Sequence, residues 1–264
     1  MNSNKVLWEK GDFTQIAATM RESGEALINK IGITKGMKVL DLGSGDGTTA
    51  IPAARKGAKV LGIDIASNLV QAGNDRAREE KLSNLKFEEG DAADLVDIDN
   101  NSFDVVLSIF GAMFASNPVN VAKEMVRVTR PGGKIIMGNW IPGDPTLVAQ
   151  VLQTSSMYTP APPDGFVSPM LWGMEDQVIE RFGKAGIRKE CIFFEKDTFT
   201  FNAAFSPEVF LEKFKNFYGP TMNAFEAARK NGKEKNLQAD LEALFKYHNQ
   251  SGNESSCSIP ATYL

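Results

Sequence analysis

Two hydrophobic periods alternate along the first 140 or so residues. Phe13, Ile16, Ala17, Met20, Gly24, Leu27, Ile28 and Ile31 recur at helical spacing, which predicts an amphipathic helix over 13–31, closed by Gly32 and the Lys35-Gly36 turn. Short apolar runs then predict strands at 38–42, 59–64, 85–89, 103–110 and 134–139. The run at 103–110 is almost continuously apolar, as expected of a strand covered on both faces. Helices are predicted between the strands at 48–55, 67–81 and 119–129, with Gly57 and the turn Arg130-Pro131-Gly132-Gly133 as boundaries. Such alternation implies right-handed βαβ units and a doubly wound α/β core over about 33–140.

The second half is less regular. Residues 141–172 hold Pro142, Pro145, Pro160, Pro162, Pro163 and Pro169 among Met157, Tyr158, Phe166, Met170, Leu171 and Trp172. That mixture is too proline-rich for one helix and too apolar for a linker, and predicts an ordered cap. A helix at 173–185, a strand near 189–195 and a second strand arm near 198–201 follow. Ser206-Pro207-Glu208 opens a helix with a capping serine and an N1 proline, and further helix runs over 221–247, broken at Asn231-Gly232. The segment 259–264 begins another strand. The chain thus reads as one domain over 1–264, with an N-terminal lid helix within 1–31 and cap segments at about 141–186 and 203–250.

Composition narrows the function. With 264 residues, 42% hydrophobic and 23% charged, the chain is an ordinary globular one. No window nears the ~18–20 uninterrupted apolar residues of a membrane span. The polar start Met1-Asn2-Ser3-Asn4-Lys5 lacks a signal-peptide core, which implies a cytoplasmic location. Cys191 and Cys257 form no C-x-x-C pair, so no metal site is expected. A net charge of −4 without a Lys/Arg cluster argues against nucleic acid and leaves a small molecule as the expected partner. Phe210, Phe214, Phe217 and Tyr218 either enclose a cavity or bury a dimer surface, so monomer and homodimer both remain compatible.

Candidate chemistry begins at Gly43-Ser44-Gly45-Asp46-Gly47, between the first strand and its helix. Glycines there let a ligand approach backbone N–H groups. A dinucleotide fingerprint would need glycine at Thr48; Asp41 instead precedes the loop, which suits a ligand without a pyrophosphate. Asp64 ends the second strand with Ile65 after it, 21 residues beyond Gly43, where a carboxylate accepts from both hydroxyls of an adenosine ribose. Taken alone, it is equally a strand-end or helix-capping aspartate. Gly90-Asp91-Ala92 follows the third strand, placing Asp91 for an adenine amino group and the Ala92 N–H for a ring nitrogen. Three such features at the ends of successive strands occupy the ligand-binding edge of an open α/β sheet.

Together with Phe103-Asp104-Val105-Val106 and Arg127-Val128-Thr129-Arg130-Pro131-Gly132-Gly133, these motifs resemble the ordered motifs of class I S-adenosylmethionine (SAM)-dependent methyltransferases over about 37–140. The likeness is to the small-molecule branch that includes ubiquinone and menaquinone biosynthesis methyltransferases. It implies a Rossmann-like seven-stranded sheet with its last strand antiparallel, 189–195 being the sixth strand, 259–264 the start of the seventh, and 203–250 a helical insertion. It also implies SAM as cofactor and S-adenosylhomocysteine as product, with Gly43 and Gly45 beside the methionine moiety, Asp64 on the ribose, Asp91 and Ala92 on adenine, and Asp41, Ser44 and Ile65 as further cofactor-binding residues. Ser108 and Phe110 would line the edge where acceptor meets methyl group.

In similar enzymes a segment like Trp8–Phe13 closes over SAM; Phe13 either does so or packs the first helix. Trp140 is an acceptor wall or a cap on the sheet, and Trp172 a core residue or an acceptor contact. No general base stands out: His248, the single histidine, ends an amphipathic helix where a solvated imidazole is expected. Two alternatives share the loop. An NAD(P)-dependent oxidoreductase is disfavoured by Thr48 and the lack of a Tyr-x-x-x-Lys pair, and a non-catalytic SAM-binding protein would explain the missing base.

Overall fold

A computed structural model describes residues 3–162 and 164–264; Met1, Asn2 and Pro163 of the segments discussed above lie outside the described residues. The chain opens with α1 (Ser3–Glu9), α2 (Thr14–Ala17) and, after a 3-10 turn at Ala18–Met20, α3 (Arg21–Ile31). The helix expected over 13–31 is therefore interrupted. Thr19 donates from Oγ1 to the Ile16 carbonyl at 2.7 Å, a local bond that competes with helical geometry, and the chain tightens there.

Then follow β1 (Lys38–Leu42), α4 (Ala50–Arg55), β2 (Lys59–Asp64), α5 (Ser67–Glu79), β3 (Leu85–Glu89), β4 (Phe103–Ile109), α6 (Pro118–Val128) and β5 (Thr129–Gly138). The five strands form one parallel sheet in the order β3-β2-β1-β4-β5. Alternate residues of the central strands enter separate cores. Leu40, Leu42 and Val106 pack with α6 on one face, and Val39, Val105 and Leu107 pack with Ile28 and Ile51 on the other. Strand order reverses between β1 and β4, which opens a crevice beyond their carboxyl ends.

The cap contains a helix that the proline pattern concealed, α7 (Leu147–Ser156), seated between Pro145 and Pro160. A 3-10 turn (Pro169–Gly173) and α8 (Glu175–Lys184) complete it. No strand forms at 189–195: Lys189–Cys191 is a 3-10 turn, and although Ile192 and Phe194 pack against the core, Phe193 is 88% exposed and no strand pairs with the segment. The second strand arm, expected near 198–201, does form as β6 (Asp197–Ala203) and places Phe199 and Phe201 in the core. Beyond it lie α9 (Pro207–Phe217), α10 (Gly219–Lys230), α11 (Glu234–His248) and β7 (Cys257–Tyr263). Ser206 caps α9 by accepting from the Val209 N–H, and Gly232, at φ 67°, makes the break between α10 and α11.

β7 pairs antiparallel with β6, so the observed architecture is five parallel strands plus an antiparallel pair rather than one continuous sheet of seven. Backbone pairing joins the two parts just beyond the end of β5. Asn139 and Leu264 exchange backbone hydrogen bonds of 2.7 and 2.9 Å, and Trp140 bridges Tyr263. The pair is drawn toward α3, where the Ser23 hydroxyl donates to the Thr200 carbonyl and accepts from the Thr200 N–H, both at 2.9 Å. Among the described residues no helix is long and apolar enough to cross a membrane.

The inserted helices extend the core through Phe210, Phe214 and Phe245, whose rings meet edge-on at 5.1–5.4 Å. Replacing Phe245 by alanine is expected to cost about 3–5 kcal/mol through lost burial and a residual cavity. Urea unfolding should show a lower midpoint with an unchanged slope.

Candidate active site

The glycine loop is built by backbone constraint. Gly43, Gly45 and Gly47 take φ values of 66°, 54° and 93°, a region that side chains disfavour. The N–H groups of Gly43 and Ser44 both donate to the Ile63 carbonyl, at 2.7 and 3.1 Å, fastening the loop to β2. A Cβ on Gly45 would meet nothing within 4 Å, so this part of the loop stays open to an approaching ligand.

Asp64 is buried at the end of β2. Its Oδ2 accepts from the Gly45 N–H at 2.8 Å and its Oδ1 from the Ala66 N–H at 2.9 Å. Burial pushes its carboxyl above the usual range, while these backbone donors pull the other way. Asp41 is buried beneath the loop and accepts from the Thr49 hydroxyl at 2.5 Å. Its carboxyl is pushed up to about 7, first by burial and then by the neighbouring Asp64 charge.

A cleft of roughly 940 Å³, its open mouth included, runs along the carboxyl edge of the sheet. Gly90, Asp91, Ala92, Asp64, Ile65 and the loop from Gly43 to Asp46 line its polar end; Trp8, Phe13, Met20, Phe110, Phe114 and Phe199 line the other. The cleft therefore brings together Gly43, Ser44, Gly45, Asp64, Ile65, Asp91, Ala92, Phe13 and Phe110 from the sequence-derived set. Four others are placed elsewhere. Asp41 lies under the loop. Ser108 is buried and bridges two strand ends, donating to the Leu42 carbonyl at 2.8 Å and accepting from the Ala112 N–H at 2.9 Å. Trp140 is buried behind Phe110, stacked on it at 3.7 Å with rings 6° from parallel. Trp172 is buried in the cap, against Phe182 and under the Arg181 guanidinium at 4.5 Å.

Sequence reasoning missed Asp46, Met20, Phe114 and Phe199 as cleft residues. For Phe199 the alternation Thr198-Phe199-Thr200-Phe201 signals a half-buried strand, but nothing local says which surface it faces. Phe110 also carries an unforeseen feature, a φ of 61°, left-handed and strained for a bulky residue.

α1 lies across the cleft and is fastened to its rim. The Glu9 carboxylate accepts from the Ser67 N–H at 3.0 Å and hydroxyl at 2.6 Å, bonds that hold it below the usual carboxylate range. Lys5 pairs with Glu89, and Asn4 donates to the Phe114 carbonyl at 2.6 Å. Trp8 meets Phe13 and Phe114 edge-on at 5.6 and 4.9 Å. His248, at the end of α11, does not line the cleft, and burial holds its imidazole below its usual value.

Comparison with known proteins places this geometry. A family model described as a methyltransferase domain matches residues 33–184. An uncharacterized protein of Mycobacterium tuberculosis is 33% identical over 228 residues, 85% of this chain and 80% of that one. A demethylmenaquinone methyltransferase of a Geobacillus species is 34% identical over 115 residues, 42% of this chain and 49% of its own length. Among solved structures, the YcgJ protein of Bacillus subtilis superposes with a TM-score of 0.55 at 17% identity, covering 92% of this chain and 96% of that one. Phosphoethanolamine N-methyltransferase 2 of Haemonchus contortus, solved with phosphomonomethylethanolamine and S-adenosylhomocysteine, superposes at 0.53 with 20% identity, covering 92% of this chain and 51% of that one. The chain belongs to the methyltransferase domain family and has the Rossmann-like α/β fold. It is an enzyme of the SAM-dependent class.

The raised Asp41 pKa has a measurable consequence. Between its ordinary value of 3.8 and about 7 the folded protein holds a proton that the unfolded chain releases. Its contribution to stability is therefore full below the ordinary value and is lost as pH rises through the folded one. Asp41→Asn should melt higher relative to the unsubstituted protein at about pH 8 than at about pH 5; parallel melting profiles would show that Asp41 ionises normally.

Proposed function

We propose that this chain transfers the methyl group of SAM to an oxygen, nitrogen or carbon of a small, partly apolar metabolite held at the aromatic end of the cleft. One observation carries the reading: a single cleft joins an edge with three aspartates, Asp46, Asp64 and Asp91, and an open glycine loop to an end whose lining, among the described residues, bears no charged side chain.

The residues fit an adenosine-bearing cofactor. Asp64 offers carboxylate oxygens to the ribose hydroxyls, with Ile65 beside it. Asp91 and the Ala92 N–H recognise the adenine edge, and Gly43, Ser44 and Gly45 give the methionine portion close access to the backbone. Asp41 and Ser108 support this arrangement from below, Asp41 through Thr49 and Ser108 through the Leu42 and Ala112 backbone.

SAM supplies an electrophilic methyl group on a sulfonium, and displacement there asks chiefly for alignment and a dry site. Phe13 and Trp8 cover the cleft and exclude water, and aromatic faces favour a cationic neighbour. Phe110 and Phe199 form the acceptor wall, with Trp140 holding the Phe110 ring from behind. Among the described residues no acid or base lines that end, which favours an acceptor that arrives as a ready nucleophile. The nicotinamide reading loses its footing, because the loop shared with it now sits in a methyltransferase family domain and Thr48 replaces the third glycine.

Calorimetry with S-adenosylhomocysteine should show binding that Asp64→Ala weakens by about tenfold or more, the scale of a lost hydrogen bond to a charged group. Labelled SAM should pass its methyl group to a member of a panel of small aromatic and apolar metabolites. A folded protein that binds neither SAM nor its demethylated product contradicts the reading.

A further inference from the structure

A second pocket of roughly 800 Å³, its open mouth included, lies beside the cleft and shares Thr48 with its lining. Three helices send arginines into it: Arg21 from α3, Arg55 from α4 and Arg76 from α5. Their carboxylate partners are unevenly divided. Arg55 has Glu80 to itself, Nε to Oε2 at 2.7 Å. Arg21 and Arg76 share Asp46, whose Oδ2 lies 3.0 Å from Nη2 of Arg21 and 3.3 Å from Nη1 of Arg76. Arg76 also donates from Nη1 to the Asp46 backbone carbonyl at 2.6 Å.

One carboxylate between two guanidiniums leaves a positive charge over and most of their donors unspent. Nε and Nη1 of Arg21, and Nε and Nη2 of Arg76, have no acceptor among the described residues. These two side chains are 44% and 17% exposed, so a solute in the pocket reaches them, whereas the Asp46 side chain is sealed. The cations also press on one another. Burial, and then the Arg21 and Arg55 charges, pull the Arg76 guanidinium below its ordinary value, against Asp46 and Glu80. Glu79, the other acid in the lining, is exposed and forms no ion pair among the described residues.

We infer that Arg21 and Arg76 form a binding site for a phosphoryl group, separate from the cofactor cleft, with Arg55 beside it. Asp46 pins the two guanidiniums at one atom, so their unspent N–H groups are held ready from two helices. Donors arriving from two directions suit the several acceptor oxygens of a tetrahedral oxyanion, and an anion between the arginines relieves their mutual repulsion. The pocket is larger than a bare phosphate, so the free ion and a phosphate monoester both fit.

Thermal melting with inorganic phosphate, at an ionic strength held constant with sodium chloride, tests the site. Saturating phosphate should raise the melting temperature by about 2–4 °C. Arg76→Met and Arg21→Met should each cut that rise to less than about 1 °C. The rise is read within each variant, and one variant suffices if the other does not fold. Arg78→Met, which removes an equal charge from a side chain outside the lining, should keep it. Glycerol 3-phosphate separates the sources: a larger rise than with phosphate marks a phosphorylated metabolite, and an equal or smaller one marks the free ion. Saturation with S-adenosylhomocysteine should leave the phosphate rise in place, and this arm alone rests on the SAM reading. The inference is overturned by a rise no greater than that with chloride alone, by one unchanged in Arg76→Met and Arg21→Met or equally lost in Arg78→Met, or by one abolished by S-adenosylhomocysteine, which would put the anion in the cleft. Failure of the unsubstituted protein to bind S-adenosylhomocysteine would remove the SAM reading and leave the other arms to decide the site.

Discussion

Two glycines that touch across the middle of the sheet set the shape of everything above it. A Cβ on Gly43 would lie 2.5 Å from the Gly111 Cα, and one on Gly111 would lie 2.5 Å from the Gly43 Cα. Only bare backbone fits on both sides. The loops leaving the central strands β1 and β4 therefore meet directly, and Ser108 locks them by bonding to Leu42 on one and Ala112 on the other. The cleft exists because the chain turns sharply away from this contact in both directions.

On the β4 side that turn leaves Phe110 left-handed, a strain of about 1–3 kcal/mol for such a residue. The stack on Trp140, edge-on contacts with Phe199 and Tyr263 at 5.1 and 5.3 Å, and a 2.8 Å hydrogen bond from its N–H to the Gly138 carbonyl offset that strain. The C-terminal strand β7 thereby supports the aromatic end of the cleft. The inserted helices support its cover in the same way. Gly11 and Gly219 let the N-terminal segment and the α9–α10 junction approach so closely that a Cβ on either would lie 2.5 Å from a backbone carbonyl oxygen, and Lys10 reaches Asn223 and Glu226 at 2.7 Å. Tyr218, the junction residue itself, packs against the rings of Trp8 and Phe13.

The parallel core and the polar end of the cleft were legible in the sequence because their signals are local. A strand, a glycine loop and an acid at fixed spacing are read within some tens of residues, and Gly43, Asp64 and Asp91 needed nothing more. What escaped depends on partners far away in the chain. α7 is a sound helix masked by the prolines around it. The segment 189–195 has strand-like composition but no strand to pair with, whereas β6 finds one in β7, some sixty residues on. The sequence leaves Trp140 as an acceptor wall or a cap on the sheet and Trp172 as a core residue or an acceptor contact, and only packing decides: both are buried, one behind Phe110 and the other within the cap. Asp46 lay inside the most conspicuous motif and was passed over, because its significance comes from Arg21 and Arg76, which no motif marks.

A crystal structure of the protein grown with S-adenosylhomocysteine tests the account most directly. The account predicts the ribose at Asp64, the adenine at Asp91 and Ala92, the amino-acid end at the glycine loop, and the sulfur facing the aromatic end between Phe13 and Phe110. Ligand density elsewhere on the molecule, or an adenosine turned away from Asp64 and Asp91, would contradict it.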